Sequence, residues 1–395
     1  MPPWLTNNKW KDNIILSESK TALYVIWVFA VVWNGLTFPA IIFDDEIWRK
    51  AEAEPFTYFF LLFPVIGLFI FYTAIKELLK WKKYGAIPLV LDPFPGSIGG
   101  HVGAEIDVGI SYTREQQFKV VLSCVKSYTT GTGSDRKRQE RPVWQNEGIC
   151  HTKMSAKGTK VAFRFDVPEG LPESDTDKKD QYISWRAHIV AVDNESEFDR
   201  AYVIPVFRTS EESRSHNFST EEHVDTVREA EEGVNSIVDI QPIAGGISLN
   251  FPSLTRNRLG IVFSLVGFIF SVASAFIFMS GDIFPAFLCF FVGDTIMLLG
   301  IYQLFKSLKV TVTKEGITSR RFLFGYPITT KEIQKQDLVG VNIIESGSMQ
   351  TGNETIVIYK IYAENMAKRR AILAERIHKR SEAEMIKETI ETYLG

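Results

Sequence analysis

Apolar residues along this chain gather into four long windows, and the polar stretches between them carry short runs in which apolar and polar positions alternate. The first window runs from Thr21 to Phe43 and the second from Phe56 to Ile75, neither with a charge. The third runs from Leu259 to Ser280 and the fourth from Ile283 to Phe305, with one acid, Asp294, inside the fourth. The hydrocarbon core of a bilayer is about 30 Å thick and takes about 20 helical residues to cross, so each window has the length of a span. The pattern predicts a multi-pass α-helical membrane protein with four transmembrane helices as two hairpins, 21–43 with 56–75 and 259–280 with 283–305. The first window is too long for a signal-peptide core and no small-residue cleavage site follows it cleanly, so it is expected to be retained.

Charge in the flanks gives that arrangement a direction. Asp44, Asp45, Glu46, Glu52 and Glu54 outnumber Arg49 and Lys50 after the first window, whereas Lys76, Lys80, Lys82 and Lys83 follow the second. Arg256 and Arg258 precede the third window, Lys306 and Lys309 follow the fourth, and Asp282 sits in the turn between them. Lys and Arg in short loops stay on the cytoplasmic side. The expectation is a bacterial inner (plasma) membrane protein with the N-terminal segment 1–20, the large insert and the C-terminal part all cytoplasmic.

Between the second and third windows the period changes to two. In Val161–Val167 the residues Val161, Phe163, Phe165 and Val167 fall on one face, with Arg164 and Asp166 on the other, as a sheet with one buried side requires. Similar runs separated by turn residues predict an antiparallel β-sandwich over 86–207. Ser127 to Pro142 is polar and glycine-rich and is expected to be a solvated, mobile loop. An acidic linker over 208–258 follows, with a short helix beginning at a Ser219–Glu222 capping box and a return strand over Gly245–Phe251. After the fourth window a hairpin across Lys314–Gly316, a further strand and a long helical segment from about Asn365 to Leu394 predict a small α+β C-terminal domain over 308–395.

Composition narrows the chemistry. The 395 residues have a formal net charge of −3 and no recognition motif, so nucleic acid is not expected as a partner. Three cysteines without CxxC spacing and six scattered histidines predict no metal site and no cofactor. No nucleophile and base pair, carboxylate dyad or phosphate loop emerges, so the protein is not expected to be an enzyme.

The insert resembles the N-terminal lobe of the arrestin family. The residues that carry the resemblance are Phe163, Phe165, Val167 and Pro168, then Leu171, Pro172 and Ser174, then Ile183 and Trp185. No second lobe follows and no counterpart of the arrestin charged core is visible, so the resemblance implies a β-sandwich and a binding role without receptor or phosphate recognition. The C-terminal part, with Arg320 to Gly325 as an Arg-Arg-x-Leu-x-Gly run, resembles bacterial pleckstrin-homology-like domains.

Three sets of residues are candidate sites. Asp294 lies in the middle of an apolar helix, where an acid costs about 2.5 to 3.5 kcal/mol on insertion scales and needs a partner. Ser271, at matching depth, and Asn34 are its candidates; an ion or proton site in a transport path is the other reading of this intramembrane polar group. Gly260, Ser264, Gly267, Ser271 and Ser274 form one small-residue face that permits close helix packing. Lys368, Arg369, Arg370, Arg376, Lys379 and Arg380 form a basic stripe that either contacts lipid head groups or is a solvated helix face. The expected function is a non-enzymatic scaffold or adaptor, with the membrane lipid bilayer and an unidentified cytoplasmic or membrane protein as partners and self-association left open. The alternative is a small transporter or channel using Asp294.

Overall fold

The computed structural model describes residues 2–7, 10–17, 19–43, 62–131, 135–175, 180–192, 197–253, 258–279, 281, 283–351 and 354–395. Among these there are nineteen strands and six α-helices, divided between two compact units, Met1–His223 and Val224–Gly395.

In the first unit, β1 (Ile14–Leu16), β2 (Pro88–Asp92), β4 (His101–Val108), β7 (His151–Ser155) and β8 (Gly158–Asp166) form one sheet in the order β1-β2-β4-β8-β7. A second sheet, in the order β10-β9-β5-β6, contains β5 (Phe118–Thr130), β6 (Lys137–Ile149), β9 (Gln181–Ala191) and β10 (Asp199–Ile204). A short parallel pair, β3 (Gly96–Ser97) with β11 (Val206–Phe207), completes the unit. Inward residues of both sheets make one core, with Leu89, Ile106, Phe163 and Phe165 from the first and Phe118, Leu122, Trp185 and Ile189 from the second. This is the β-sandwich that the arrestin resemblance implies. The turn residues of that resemblance hold it together: the Trp185 indole donates to Pro172 O at 3.0 Å, and Ser174 Oγ accepts from Val206 N at 2.9 Å.

The second unit is also built from two sheets. One has the order β12-β13-β14-β15-β16, with β12 (Asp239–Ile243), β13 (Gly246–Phe251), β14 (Lys306–Thr313), β15 (Gly316–Leu323) and β16 (Tyr326–Gln334). The other contains β17 (Leu338–Thr351), β18 (Glu354–Asn365) and β19 (Arg370–Ile377). Helix α6 (Arg380–Leu394) buries Ala383, Ile386, Ile390 and Leu394 in the shared core, beside helix α3 (Val224–Ile237). Helices α4 (Arg258–Met279) and α5 (Ile283–Phe305) form a hairpin inserted between β13 and β14. Those two strands are antiparallel neighbours, with Phe251 opposite Leu308, so the sheet closes across the foot of the helices.

The four-span helical fold expected above is not what forms. Strands dominate the described residues, and helices of spanning length and apolarity are two, Gly260–Met279 and Ile283–Phe305. Alternating runs outweigh the apolar windows and fill both units with strands. Helix α1 (Ser19–Phe43) contributes a shorter apolar stretch among the described residues, Leu23–Pro39. In α2 (Leu62–Tyr84) the described apolar part is Leu62 to Ile75, after which Lys76 and Glu77 begin a charged end; residues 56–61 of the second window lie outside the described residues. Residues 44–61, Arg256 and Asp282, on which the orientation partly rested, lie outside the described residues.

Three further expectations change. Ser127–Thr130 and Lys137–Pro142 are paired in the β5–β6 ladder instead of looping out. The segment after Phe207 is no free linker, because Thr220 N donates to Arg164 O at 2.9 Å and helix α3 begins at Val224, after the Ser219–Glu222 box. The long terminal helix starts only at Arg380, since Arg370–Ile377 is strand β19.

Candidate functional site

The helical hairpin is a close packing of two backbones. On α4, Gly260, Gly267 and Ser274 are buried, with Ser264 and Ser271 half-buried; on α5 the buried residues Ala286, Gly293 and Gly300 recur every seven residues, and Gly293 and Gly300 meet the α4 face. A Cβ at Gly293 would lie 2.7 Å from Phe270 Cβ and 3.0 Å from Gly267 O, and one at Gly267 would lie 2.6 Å from Gly293 O. Glycine is required where the chains cross. The hydroxyls turn inward: Ser264 Oγ donates to Gly260 O at 2.8 Å, and Ser271 Oγ lies 3.0 Å from Gly267 O.

Asp294 is half-buried on α5, and Ser271 Oγ donates to its Oδ1 at 2.9 Å across the hairpin. The structure thus brings two of the three polar candidates together. Asn34 is spent elsewhere in the first unit, donating from Nδ2 to Ala30 O at 2.7 Å and to Gly67 O at 3.0 Å, which joins α1 to α2.

At its foot the hairpin is fixed to the sheets. Helix α5 ends at Phe305 and β14 begins at Lys306 without a linker. Phe324 N donates to Phe305 O at 3.3 Å and the two rings stack with centroids 4.8 Å apart. The Arg376 guanidinium donates to Gln303 O at 3.1 Å and to its Oε1 at 2.7 Å. Both Phe324 (φ 50°) and Arg376 (φ 64°) occupy left-handed backbone that disfavours side chains, a cost accepted where these contacts hold them.

Charge is concentrated at the same foot. The Glu375 carboxylate, 13% exposed, meets Lys306 Nζ at 2.9 Å and Arg321 Nη2 at 3.2 Å, with Arg376 adjacent in sequence. Burial pushes the Glu375 carboxyl up, but the Lys306 hydrogen bond and the nearby cations outweigh it and hold it below the usual carboxylate value. Burial likewise lowers Lys306 and Arg376, against the opposing pull of Glu375. A cavity of about 40 Å³ beside them, lined by Phe251, Pro252 and Leu308, has room for little more than one water.

The basic stripe does not form. Arg370 pairs with Glu364 at 3.2 Å and lies over the Tyr362 ring, Lys379 pairs with Glu229 at 2.9 Å, and Arg380 pairs with Glu384 at 2.7 Å. Arg376 faces Gln303, while Lys368 and Arg369 are exposed in the turn before β19. A strand and a turn distribute these six residues over several directions instead of along one helical face.

A second polar cluster was invisible in the sequence because its members are far apart along the chain. Residues 208–223 form a strap over the first sheet of the sandwich. Asp92 Oδ2 accepts from Ser213 Oγ at 2.9 Å, Arg214 N at 3.0 Å and Ser215 N at 2.7 Å. Burial raises the Asp92 carboxyl, yet these hydrogen bonds prevail and leave it below its ordinary value. A cleft of about 360 Å³ opens beside them, lined by Asn13, Asp92, Glu105, Glu211, Arg214 and His216. Around Phe218, the His151 ring lies tilted with its centroid 3.9 Å away and the His216 ring tilted at 5.4 Å, with His223 4.7 Å from His151. Burial lowers both His151 and His216, and His223 lowers His151 further. Among the described residues no group of three or more His, Cys, Asp or Glu is placed to hold a metal.

No protein-family model and no curated protein matches the chain. Solved structures do, among them Spo0M, a sporulation control protein from Bacillus subtilis, at 10% identity over 78% of this chain and 98% of that one, with a TM-score of 0.21. The likeness is distant, and the sandwich stands on its own sheet order and core.

Proposed function

We propose that the protein is a non-enzymatic adaptor attached to the bacterial inner membrane by the α4–α5 hairpin, with its β domains presented in the cytoplasm to a protein partner. One observation carries this reading. The hairpin is inserted between paired strands with its apolar sides turned outward, including Phe284, Phe287 and Phe291 at 79%, 69% and 64% exposure. A core helix of a soluble domain buries such side chains, since each is worth about 1.5 to 3 kcal/mol on burial, and a bilayer supplies that burial here. The Ser271 bond to Asp294 supports an anchoring role for the acid in place of an ion path. A pleckstrin-homology-like character of the second unit belongs to the same reading and is supported by its two sheets and terminal helix.

Alkaline extraction of membranes containing the full chain tests the attachment, with retention in the pellet expected; complete release into the supernatant would overturn it. Crosslinking followed by pull-down in the native host tests the adaptor role, and a reporter fused after Gly395 should read as cytoplasmic. Recovery of the chain alone after efficient crosslinking would remove the partner from the reading.

A further inference from the structure

The sheet next to the hairpin foot carries an exposed surface that the anchoring role leaves unused. Strand β14 leaves α5 at Lys306, whose ladder partner is Leu323, so the β15–β16 turn lies beside the last helical turn and level with Phe305. That turn is apolar and open: Phe324 is 55% exposed, Tyr326 76% and Ile328 48%. On the outward face of the same sheet, Lys309 and Arg320 stand directly opposite each other. Both are exposed, and among the described residues neither enters an ion pair. Like charges facing each other across an antiparallel ladder weaken it, so this pair works against the fold. Glu332, opposite Thr318, lies one row farther from the helix end.

We propose that the β15–β16 turn and the Lys309–Arg320 row form a second contact with the bilayer, selective for anionic phospholipid; this rests on the hairpin lying in that bilayer. If α5 leaves the hydrocarbon at Phe305, the turn sits at head-group height, where aromatic side chains with one polar end accumulate. Lys309 is three strand residues beyond Lys306, about 10 Å from the boundary. That is comparable to the Debye length of about 8 to 10 Å, so both cations feel the surface charge of an anionic leaflet. Anionic head groups between Lys309 and Arg320 also relieve their mutual repulsion. The turn then fixes the tilt of the second unit against the membrane, which the hairpin alone leaves to its foot contacts.

The test uses the full chain in vesicles of phosphatidylcholine alone or with phosphatidylglycerol, in a Cys289→Ser background. An environment-sensitive fluorophore is placed at Tyr326→Cys, or separately at Phe287→Cys within α5. Quenching of the 326 probe by shallow nitroxide lipid is expected to rise with phosphatidylglycerol and to fall with salt. Lys309→Glu with Arg320→Glu is expected to weaken that contact by at least about fivefold per charge removed, the equivalent of about 1 kcal/mol each. A 287 probe quenched by deep nitroxide lipid together with a 326 probe untouched in either vesicle would overturn the proposal and leave the anchor standing. A 287 probe that escapes quenching removes the anchor itself. Quenching at 326 that ignores phosphatidylglycerol and the double substitution refutes the anionic selectivity.

Discussion

At the scale of single residues, the hairpin depends more on missing side chains than on its one acid. Interhelical hydrogen bonds in apolar surroundings average about 0.6 kcal/mol and reach about 1.7, so Asp294→Leu is expected to cost no more than that, and Asp294→Asn still less. Gly293→Leu places a side chain where Phe270 Cβ is 2.7 Å from a Cβ and is expected to cost about 1 to 3 kcal/mol or to separate the helices. Denaturant titration of the full chain in detergent, read by helix signal, ranks the three; an Asp294→Asn loss larger than that of Gly293→Leu would show that the acid has a partner besides Ser271. The foot is different. Glu375 compensates Lys306, Arg321 and Arg376, so Glu375→Gln leaves half-buried cations without their counter-charge and is expected to cost about 1 to 3 kcal/mol in unfolding of the second unit.

At the scale of elements, strand β8 and the strap over it show what the sequence made legible. The alternation Val161, Phe163, Phe165, Val167 becomes a row of buried residues, with Asp166 exposed as the period demands. Phe165→Ala is accordingly expected to cost about 3 to 5 kcal/mol, measured by unfolding of the sandwich. Strand β19 was illegible for a physical reason. Register shifts along the β18–β19 ladder put Ala371, Leu373, Ala374 and Ile377 all inside, and that spacing imitates a helical face. The His151, His216 and His223 cluster was hidden because it joins β7 to the strap across a long stretch of chain. Both His151 and His216 are held below 6.5 by burial, so in the fold the rings prefer to be neutral. Their contribution is present above about pH 6.5, the unfolded value, and is lost as pH falls toward the lower folded values. Asp92 and Glu105 beside His216 favour its proton, while Lys153 and Lys160 oppose it. Amide exchange at Ser213, Ser215 and Thr220, corrected for intrinsic rates, is expected to speed up between pH 7.5 and 5.5. The effect should shrink in His216→Asn, and equal protection at both pH values would separate the strap from these histidines.

At the scale of the whole molecule, the long apolar windows marked the helices but hid the domain that surrounds two of them. The second unit begins at Val224, well before the third window, because β12, β13 and α3 belong to the sheet and core that β14 to β19 complete. Nothing in local periodicity joins Gly246–Phe251 to Lys306–Thr313 across the α4–α5 hairpin; ladder pairing does, from Gly246 with Thr313 to Phe251 with Leu308. Since those strands are antiparallel neighbours, the hairpin occupies the place of a β-turn. Replacing 253–305 by a short Asn-Gly-containing connection therefore leaves the ladder, the core of Leu249, Val310, Val312 and Ile361, and the Lys306–Glu375 pair in place. Among the described residues the excised chain loses the Phe305 and Gln303 contacts of Phe324 and Arg376, which releases two strained residues along with their partners. It is expected to keep the strand signal and cooperative unfolding of the second unit and, in the membrane reading, to move out of the alkaline-resistant pellet unless the remaining apolar helices α1 and α2 hold it there. Strand signal lost with the hairpin would mean that the helices nucleate the sheet; strand signal kept with unchanged retention would transfer the attachment to Ser19–Phe43 and Leu62–Tyr84.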